Sequence, residues 1–385
     1  MDFMARYNGE HPAILIGVPV FQGSTVIAET LNSIRNQDFP HFRVLISVDG
    51  SDRSSYDACL PFTKDPRFEL VLQPRQLGWN GNVNWLAGRL REEFFVYWQQ
   101  DDLCDPSYLH TLIEHARKHP EASCVYSDVQ HFGTRKRFDA YPSLRGFAVQ
   151  RVLEQIQKNG LPPHRGLIRR DAMRAALPIL QPGPWVASLA RAGELHRIAL
   201  PLYHRRRWSG SLSARLKVAP ELLRDGTLEW GLGCLRAALP IVPRSDRTQI
   251  LAFIADQLVN HQPLGGFHYK ARTAGDGEPL RFIADFLREA RSRYGIVPFA
   301  ELLADDNAAP RLIERKAEYS GEAAEILIIE ALLDDLEAFR SAANSRWLWT
   351  TTRSIGGILR SGRDAAYSIE QVWRGAVNAR WRSWF

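Results

Sequence analysis

Short apolar runs alternate with segments of helical periodicity between residue 13 and about residue 213. The runs are rich in β-branched and aromatic residues, and they lie at 13–20, 42–48, 68–72, 94–98 and 123–126. Between them, apolar side chains recur three and four positions apart, which is the spacing of an amphipathic helix. This alternation predicts an α/β fold with a mostly parallel sheet and flanking crossover helices.

Several helical segments carry boundary residues. Ser24 is expected to cap the first helix, which should end before Pro40. A later helix is expected to open at 77–81, and another to run from Pro106 to His119. Helices at these places would supply the crossovers that join parallel strands.

After residue 217 the sequence pattern changes to long stretches of helical periodicity, such as 247–258 and 323–340, with few β-branched runs. The glycine-containing segment 262–280 is predicted to connect two of these helices. We therefore predict three parts, which are an α/β domain over 1–216, a helical domain over 217–345, and a basic, tryptophan-rich amphipathic tail over 346–385.

Composition narrows the class of protein. A chain of 385 residues with 45% hydrophobic content can bury the core of a globular protein. The sequence has no uncharged apolar window of about eighteen residues and no apolar signal region at its start, which predicts a cytoplasmic location. The four cysteines have no partners at disulfide or zinc-site spacing, so we expect no disulfide and no structural zinc.

The net charge of +6 is concentrated in the tail, where seven arginines and two acidic residues give residues 346–385 a net charge of +5. The rest of the chain is therefore not expected to bind nucleic acid. Five of the eleven tryptophans also lie in the tail, at 347, 349, 373, 381 and 384. An amphipathic segment rich in Trp and Arg predicts peripheral attachment to an anionic membrane surface, at the inner face of the plasma membrane. The alternative is a helix that packs on the body or on a second subunit.

Polar residues follow three of the predicted strands, at 19–22, 49–52 and 99–102. The carboxyl ends of parallel strands form the edge at which open α/β sheets bind ligands. The adjacent carboxylates of Asp101 and Asp102 would repel each other unless a cation or a donor network lay between them, which favours a divalent metal carrying a phosphorylated substrate. Two alternatives stay open, namely that Asp102 caps the helix near Pro106 and that the turn at 49–51 is an ordinary one.

The order of these motifs resembles that of the family 2 glycosyltransferases with the GT-A fold, over about residues 13–213. The matching segments are Val18-Pro19-Val20-Phe21, residues 29–37 with the ending Ser-Ile-x-x-Gln, Val48-Asp49-Gly50-Ser51, residues 76–84, residues 99–101, Gly166-Leu167-Ile168-Arg169-Arg170, and residues 201–213. The resemblance implies an inverting transfer of a sugar from a nucleoside-diphosphate donor to a hydroxyl of a glycan or lipid-linked acceptor, in surface-polysaccharide synthesis.

The resemblance also implies roles for individual residues. Asp49 would hold the base or the ribose, and Asp101 would hold a divalent cation, Mn²⁺ or Mg²⁺. Pro19, Phe21 and Glu29 would line the nucleoside pocket. The complete set assigned to the donor is Pro19, Phe21, Glu29, Asp49, Gly50, Ser51, Gln99, Arg205 and Arg206.

Three departures from the family pattern bear on activity. Gln99 stands where the first carboxylate of Asp-x-Asp is usual, and Trp208 stands where a metal-assisting histidine is expected. The segment 181–185 has no carboxylate to act as the catalytic base. The remaining base candidates are Asp128 and His164, for which a strand-end turn residue and a loop histidine are the structural alternatives.

Three functional hypotheses follow. The first is the inverting glycosyltransferase, and the second is a catalytically silent GT-A domain that binds a glycan or nucleotide within an assembly. A nucleotidyltransferase is a third, weaker hypothesis. It would need a glycine-rich loop with a basic residue after the first strand, and residues 21–24 have one glycine and neither Lys nor Arg.

Overall fold

The structure is a computed structural model that describes residues 12–208, 220–244, 247–258 and 278–296. The chain divides into two compact units between Val218 and Ala219. The predicted tail over 346–385, the predicted helix over 323–340 and the predicted connector up to residue 277 lie outside the described residues. The last three residues of that connector, 278–280, belong to a helix.

The described part of the first unit contains one nine-stranded sheet. Its strands are β1 Ile14–Val20, β2 Phe42–Val48, β3 Phe68–Leu72, β4 Phe94–Tyr97, β5 Leu103–Cys104, β6 Ala122–Gly133, β7 Arg137–Asp139, β8 Leu167–Arg169 and β9 Glu194–Arg207. The strand order is β3-β2-β1-β4-β8-β6-β9-β5, and β7 pairs with β6. The four strands β3, β2, β1 and β4 are parallel, whereas β8 is antiparallel to both β4 and β6. The α/β class is confirmed, with a mixed sheet.

Seven α-helices of the first unit surround this sheet within the described range, and three more lie in the second unit. They are α1 Ile27–Arg35, α2 Arg53–Cys59, α3 Gly78–Ala87, α4 Tyr108–Lys118, α5 Ala148–Lys158, α6 Arg170–Ala176, α7 Pro182–Ala192, α8 Pro220–Ala238, α9 Arg247–Asp256 and α10 Glu278–Tyr294. The predicted cap at Ser24 is wrong. α1 begins at Ile27 without a side-chain cap, and the backbone N–H groups of Val26 and Ile27 donate to the Gly23 carbonyl.

The core of the first unit explains why the strand predictions succeeded there. Every residue of β2 and of β4 is buried, and both runs are apolar except for Arg43 and Ser47 of β2, which are paired with Glu92 and Gln73. α1 and α4 pack the buried side chains of Leu31 and Leu112 into the same apolar cluster as Val44 and Val96. Burial on both faces therefore leaves room only for polar residues that are paired or that follow the strand ends.

The helices of the second unit are joined by a close contact at Gly231 on α8. A Cβ atom on this glycine would lie 2.8 Å from the Leu258 side chain and 2.9 Å from the Phe286 ring, so a larger residue would force the helices apart. Trp230 and Phe282 are fully buried beside this contact. Among the described residues, no helix is both long enough and apolar enough to span a membrane.

Candidate functional site

The carboxyl ends of β1, β2 and β4 lie side by side at one edge of the sheet, because these strands are parallel neighbours. β9 ends at the same edge, since β6 runs in the direction of β4 and β9 is parallel to β6. The pairing of Leu103 with His204 then brings the end of β9 beside the acidic turn at 99–102. The fold therefore gathers all three predicted polar turns and the arginines of β9 in one place.

Asp49 follows β2 and is almost completely buried. Its Oδ1 accepts a hydrogen bond from the Leu77 backbone N–H at 2.6 Å, and its Oδ2 accepts one from Gly78 at 2.9 Å. The carboxylate thus satisfies free N–H groups at the start of α3 and favourably faces the helix dipole. A role for Asp49 in holding the base or ribose stays a prediction. Each carboxylate oxygen could accept a second hydrogen bond, which such a ligand could donate.

The turn after Asp49 needs a glycine. Gly50 has φ +63°, and a Cβ atom there would lie 3.1 Å from the backbone nitrogen of Gln76. Ser51 is exposed beside it. The tight turn therefore joins β2 to the segment that precedes α3, and it leaves the Ser51 hydroxyl open to solvent.

Gln100 fixes the loop that follows β1, a role that the sequence analysis did not assign. The Phe21 backbone N–H donates to Gln100 Oε1 at 2.8 Å, and Gln100 Nε2 donates to the Phe21 carbonyl at 3.0 Å. Gly23 is required next to this amide, because a Cβ atom there would lie 2.5 Å from Gln100 Oε1. Pro19 and Phe21 are partly buried at this edge. The only signal in the sequence was the position of Gln100 inside the polar turn.

The two adjacent carboxylates differ in environment. Asp102 is fully buried, where its Oδ2 accepts from the Tyr203 hydroxyl at 2.8 Å and its Oδ1 accepts from the Arg206 backbone N–H at 2.9 Å. Burial, and secondarily the negative charge of Asp101, raise the pKa of Asp102 to about 6. Asp102 therefore connects the turn to β9, and it does not cap α4.

Asp101 is partly exposed, and its Oδ2 accepts a hydrogen bond from Trp208 Nε1 at 2.8 Å. The Arg206 Nε group donates to the Asp101 carbonyl at 3.0 Å, and Arg206 Nη2 forms an ion pair of 2.7 Å with Glu29. Glu29 is thus held by an arginine at the mouth of the site. The predicted residues Asp101, Glu29 and Arg206 lie together in this structure.

Arg205 differs from its neighbours because, within the described ranges, its guanidinium forms no hydrogen bond and no direct ion pair. By contrast, Arg207 Nε donates to His131 Nδ1 at 2.8 Å. Burial and the nearby charge of Arg165 lower the pKa of Arg205 to about 10, against some attraction from Asp102. Arg165, which the sequence analysis did not assign to the site, is buried with its Nε 3.7 Å from Asp102 Oδ2. A partly desolvated guanidinium without a protein acceptor is suited to an anionic ligand.

His164 is buried among aromatic rings next to the same turn. Its ring centroid lies 5.8 Å from that of Tyr97 and 5.8 Å from that of Trp185, and its Nε2 lies 3.4 Å from Gln99 Nε2. The Leu161 carbonyl lies 2.5 Å from Nδ1, so the proton of the neutral ring belongs on Nδ1 and Nε2 is the acceptor. Burial, followed by the charges of two arginines, lowers the pKa of His164 well below its usual value.

Asp128, the other base candidate, lies on β6 and is buried. Both of its oxygens accept hydrogen bonds from Arg197, at 2.6 Å from Nε and 2.7 Å from Nη2. This two-point ion pair raises the pKa of Arg197 and occupies the carboxylate. A catalytic role for Asp128 stays a prediction, and it would require that the pair open.

The acidic turn offers a small set of ligands for a divalent cation. Oδ1 of the Asp101 carboxylate accepts no hydrogen bond from the described residues. The Gln99 side chain, two positions earlier, has an amide oxygen that can also bind a hard cation. Trp208 can donate a hydrogen bond but cannot coordinate a metal. One carboxylate is enough for Mg²⁺ or Mn²⁺ when substrate phosphates and water complete the coordination. The residues therefore fit a cation that arrives with a diphosphate.

Residues 15–176 match the family described as Glycosyl transferase family 2. This match confirms the resemblance of this part of the chain to the family 2 glycosyltransferases. Over 108 residues, which are 28% of this chain and 31% of the relative, the chain is 32% identical to a protein of Bacillus subtilis named EpsH. Over 109 residues it is 28% identical to the GalNAc(5)-diNAcBac-PP-undecaprenol beta-1,3-glucosyltransferase of Campylobacter jejuni, covering 28% and 35% of the two chains. The chain thus spans about a third of the length of the curated relatives that it matches.

The fold is also found among solved structures. The crystal structure of TarS from S. aureus superposes with a TM-score of 0.54 at 15% identity, covering 71% of this chain and 48% of that chain. Its fragment 1–349 gives a TM-score of 0.51 at 15% identity, covering 73% and 81%. At this level of identity the likeness concerns the fold alone. The GT-A-type fold is confirmed.

Proposed function

We propose that this domain transfers a sugar, with inversion, from a nucleoside-diphosphate sugar to a hydroxyl of a glycan or lipid-linked acceptor. The observation that carries the proposal is Arg205, a partly buried guanidinium without a direct acceptor among the described residues, beside the acidic turn. Leaving a buried cation unpaired is costly, whereas a diphosphate would supply charge-assisted acceptors at this point.

The donor would lie along the carboxyl edge of the sheet. Asp49, with Gly50 and Ser51, would hold the base or ribose at the end of β2, and Phe21 would close the nucleoside pocket at the end of β1. Gln99 would contact the ribose or the cation through its amide. The diphosphate would then reach Arg205, with the Arg206 and Glu29 pair at the mouth of the site.

Asp101 would hold a divalent cation through Oδ1, with Trp208 fixing the other oxygen. A bound cation neutralises charge on a leaving diphosphate. Arg205 would add a permanent positive charge at the same place. The negative charge of the leaving diphosphate would then be neutralised by both the bound cation and the guanidinium.

The acceptor oxygen would attack the anomeric carbon from the face opposite the leaving diphosphate while a base removes its proton. His164 is better placed for this than Asp128, because its Nε2 lone pair faces Gln99 in the polar turn, whereas Arg197 occupies both oxygens of Asp128. The low pKa of His164 makes the ring neutral, and therefore able to accept a proton, but weakly basic.

Calorimetric titration with UDP, GDP and dTDP, with and without Mn²⁺, tests the donor half of this proposal. Asp101→Asn keeps an acceptor for Trp208 but removes the charge, so it should weaken Mn²⁺-dependent nucleotide binding by about 10–100-fold, as expected for a charge-assisted contact. Asp171→Asn, on the exposed surface of α6, is the matched control. Equal affinity in the parent, Asp101→Asn and Asp171→Asn proteins would contradict the proposed site.

A silent GT-A domain is the second candidate, and it is favoured by the ion pair that occupies Asp128 and by the lack of a carboxylate at 181–185. Incubation with a panel of nucleotide sugars and Mn²⁺ separates the two functions. An active domain hydrolyses or transfers from at least one donor, whereas a silent domain binds a nucleotide without turnover.

We also propose that the tail at 346–385 attaches the protein to the cytoplasmic membrane face, where a lipid-linked acceptor would lie. The support is the sequence of the tail and one relative, the Campylobacter jejuni protein whose name includes an undecaprenol-linked glycan. Truncation at Ser345 should abolish binding to phosphatidylglycerol vesicles at low salt and leave nucleotide affinity unchanged. Identical vesicle binding by the truncated and full-length proteins would contradict this attachment.

A further inference from the structure

Three histidines from separate parts of the chain meet at the opposite edge of the sheet from the donor site. His115 lies in the last turn of α4, and His119 is the C-cap residue that follows this helix four positions later. His196 is the third residue of β9 and is almost completely buried. The ring centroids of His115 and His119 are 4.3 Å apart, and the His196 centroid lies 5.3 Å from the former and 5.1 Å from the latter.

The ring nitrogens are spaced as metal ligands are. One ligand atom of each histidine lies within 4.8 Å of the others, and His115 Nε2 is 3.1 Å from His196 Nδ1. Two nitrogens bound to a tetrahedral Zn²⁺ at about 2.0–2.1 Å are roughly 3.3 Å apart, so these two atoms are already near the required separation. A short movement of the partly exposed His119 side chain would complete a three-histidine set.

Two carboxylates hold the histidines in the orientation that a metal would require. Glu194 Oε2 accepts from His196 Nε2 at 2.9 Å, which leaves Nδ1 of that ring unprotonated toward His115. Glu121 Oε1 lies 3.0 Å from His119 Nδ1 and 4.0 Å from His196 Nε2. A carboxylate behind a ligating histidine is the usual outer partner in protein zinc sites.

We propose that His115, His119 and His196 form a structural zinc site, with Glu194 orienting His196 and Glu121 or a water completing the coordination. Three imidazoles with a carboxylate suit Zn²⁺ better than Mg²⁺ or Ca²⁺, which take oxygen ligands. The site would fasten the end of α4 and the following loop to the start of β9. Its distance from the donor edge, roughly 30 Å along β9 between residues 196 and 205, makes it separate from sugar transfer.

Zinc titration of the full chain, free of any histidine tag and stripped with a chelator, tests this site. A competing chromophoric indicator measures zinc affinity, and Co²⁺ substitution reports tetrahedral coordination by its visible spectrum. We expect one equivalent of Zn²⁺ and a rise in melting temperature when it binds. Glu194→Gln should weaken zinc binding by roughly 10–100-fold, the cost of losing an orienting carboxylate.

Variants distinguish the cluster from other zinc-binding residues. The double variant His115→Gln/His119→Gln changes two partly exposed side chains, so it should fold and lose zinc binding and the Co²⁺ spectrum. His110→Gln, exposed on the same helix, should bind zinc as the parent does. Failure of the parent to bind one equivalent, or survival of binding in the double variant, would overturn the proposal.

Discussion

Arg205→Met should weaken nucleotide binding without weakening the fold. The change removes the guanidinium but keeps an unbranched apolar stem of similar reach. In the donor complex, the guanidinium should form charge-assisted hydrogen bonds to the diphosphate, worth about 1.5–3 kcal/mol. At 1.36 kcal/mol per tenfold, the dissociation constant for the preferred nucleoside diphosphate should rise by about 10–150-fold.

The effect on stability should have the opposite sign. Burial, and secondarily the charge of Arg165, lower the pKa of Arg205 to about 10 in the folded protein, so the fold holds this proton less tightly than the unfolded chain does. At pH 7 the group is charged in both states, and its charge therefore destabilises the fold by at most roughly 3 kcal/mol. Arg205→Met should melt at the same temperature as the parent or higher, because the repulsion from Arg165 is relieved.

Calorimetry and thermal melting of the same samples measure both effects. Arg174→Met, which changes an exposed arginine on α6, should alter neither the nucleotide affinity nor the melting temperature. If Arg205→Met binds the nucleotide as the parent does but melts at a lower temperature, Arg205 is a structural residue and does not bind the diphosphate.

Three further predictions concern the same edge of the sheet. The pKa of Asp102 is raised to about 6, so its ionisation should lower the free energy of unfolding as pH rises from about 4 to 6. Urea denaturation at several pH values measures this fall, which Asp102→Asn should remove. The same pH dependence in the parent and in the variant would contradict the prediction. Trp208→Phe removes the donor that fixes Asp101 and should lower Mn²⁺-dependent nucleotide affinity several-fold, whereas unchanged affinity argues against a cation at Asp101. His164→Gln should slow sugar transfer by about 10²–10⁴-fold and leave nucleotide affinity intact. Asp128→Asn should mainly lower the urea concentration at the midpoint of denaturation. The reverse pattern would make Asp128 the base.

The sequence predicted the buried half of the sheet well, because burial on both faces imposes a mostly apolar run. β2 and β3 have the bounds that the pattern indicated, and α9 lies within the predicted stretch 247–258. The polar turns after β1, β2 and β4 were also predicted to meet, since parallel neighbours end at the same edge. These features depend on local pattern and on the rules of parallel topology alone.

β9 could not be predicted in the same way. Its sequence contains Pro201 and ends in three arginines, and its alternation is broken by a shift in its register with β6 between Ser127 and Val129. Only the pairing with β6 and β5 makes this segment a strand. That strand pairing determines three features of the site. These are the lack of a direct acceptor for Arg205 among the described residues, the ion pair of Asp128 with Arg197, and the burial of Asp102.

The histidine cluster shows a second limit of sequence reasoning. The absence of structural zinc was expected because the cysteines lack partners at zinc-site spacing. His196 follows His119 by 77 positions, and no short motif joins them. Packing of α4 against β9 brings these residues together, and a search by spacing cannot detect such a site.

A crystal structure of the full chain soaked with UDP-, GDP- and dTDP-sugars in the presence of Mn²⁺ tests the donor site most directly. We expect a nucleoside beside Asp49 and Phe21, with the diphosphate in hydrogen-bonding contact with Arg205 and near Asp101. A nucleotide bound elsewhere, or a diphosphate that Arg205 does not touch, would contradict the assignment of this edge as the donor site.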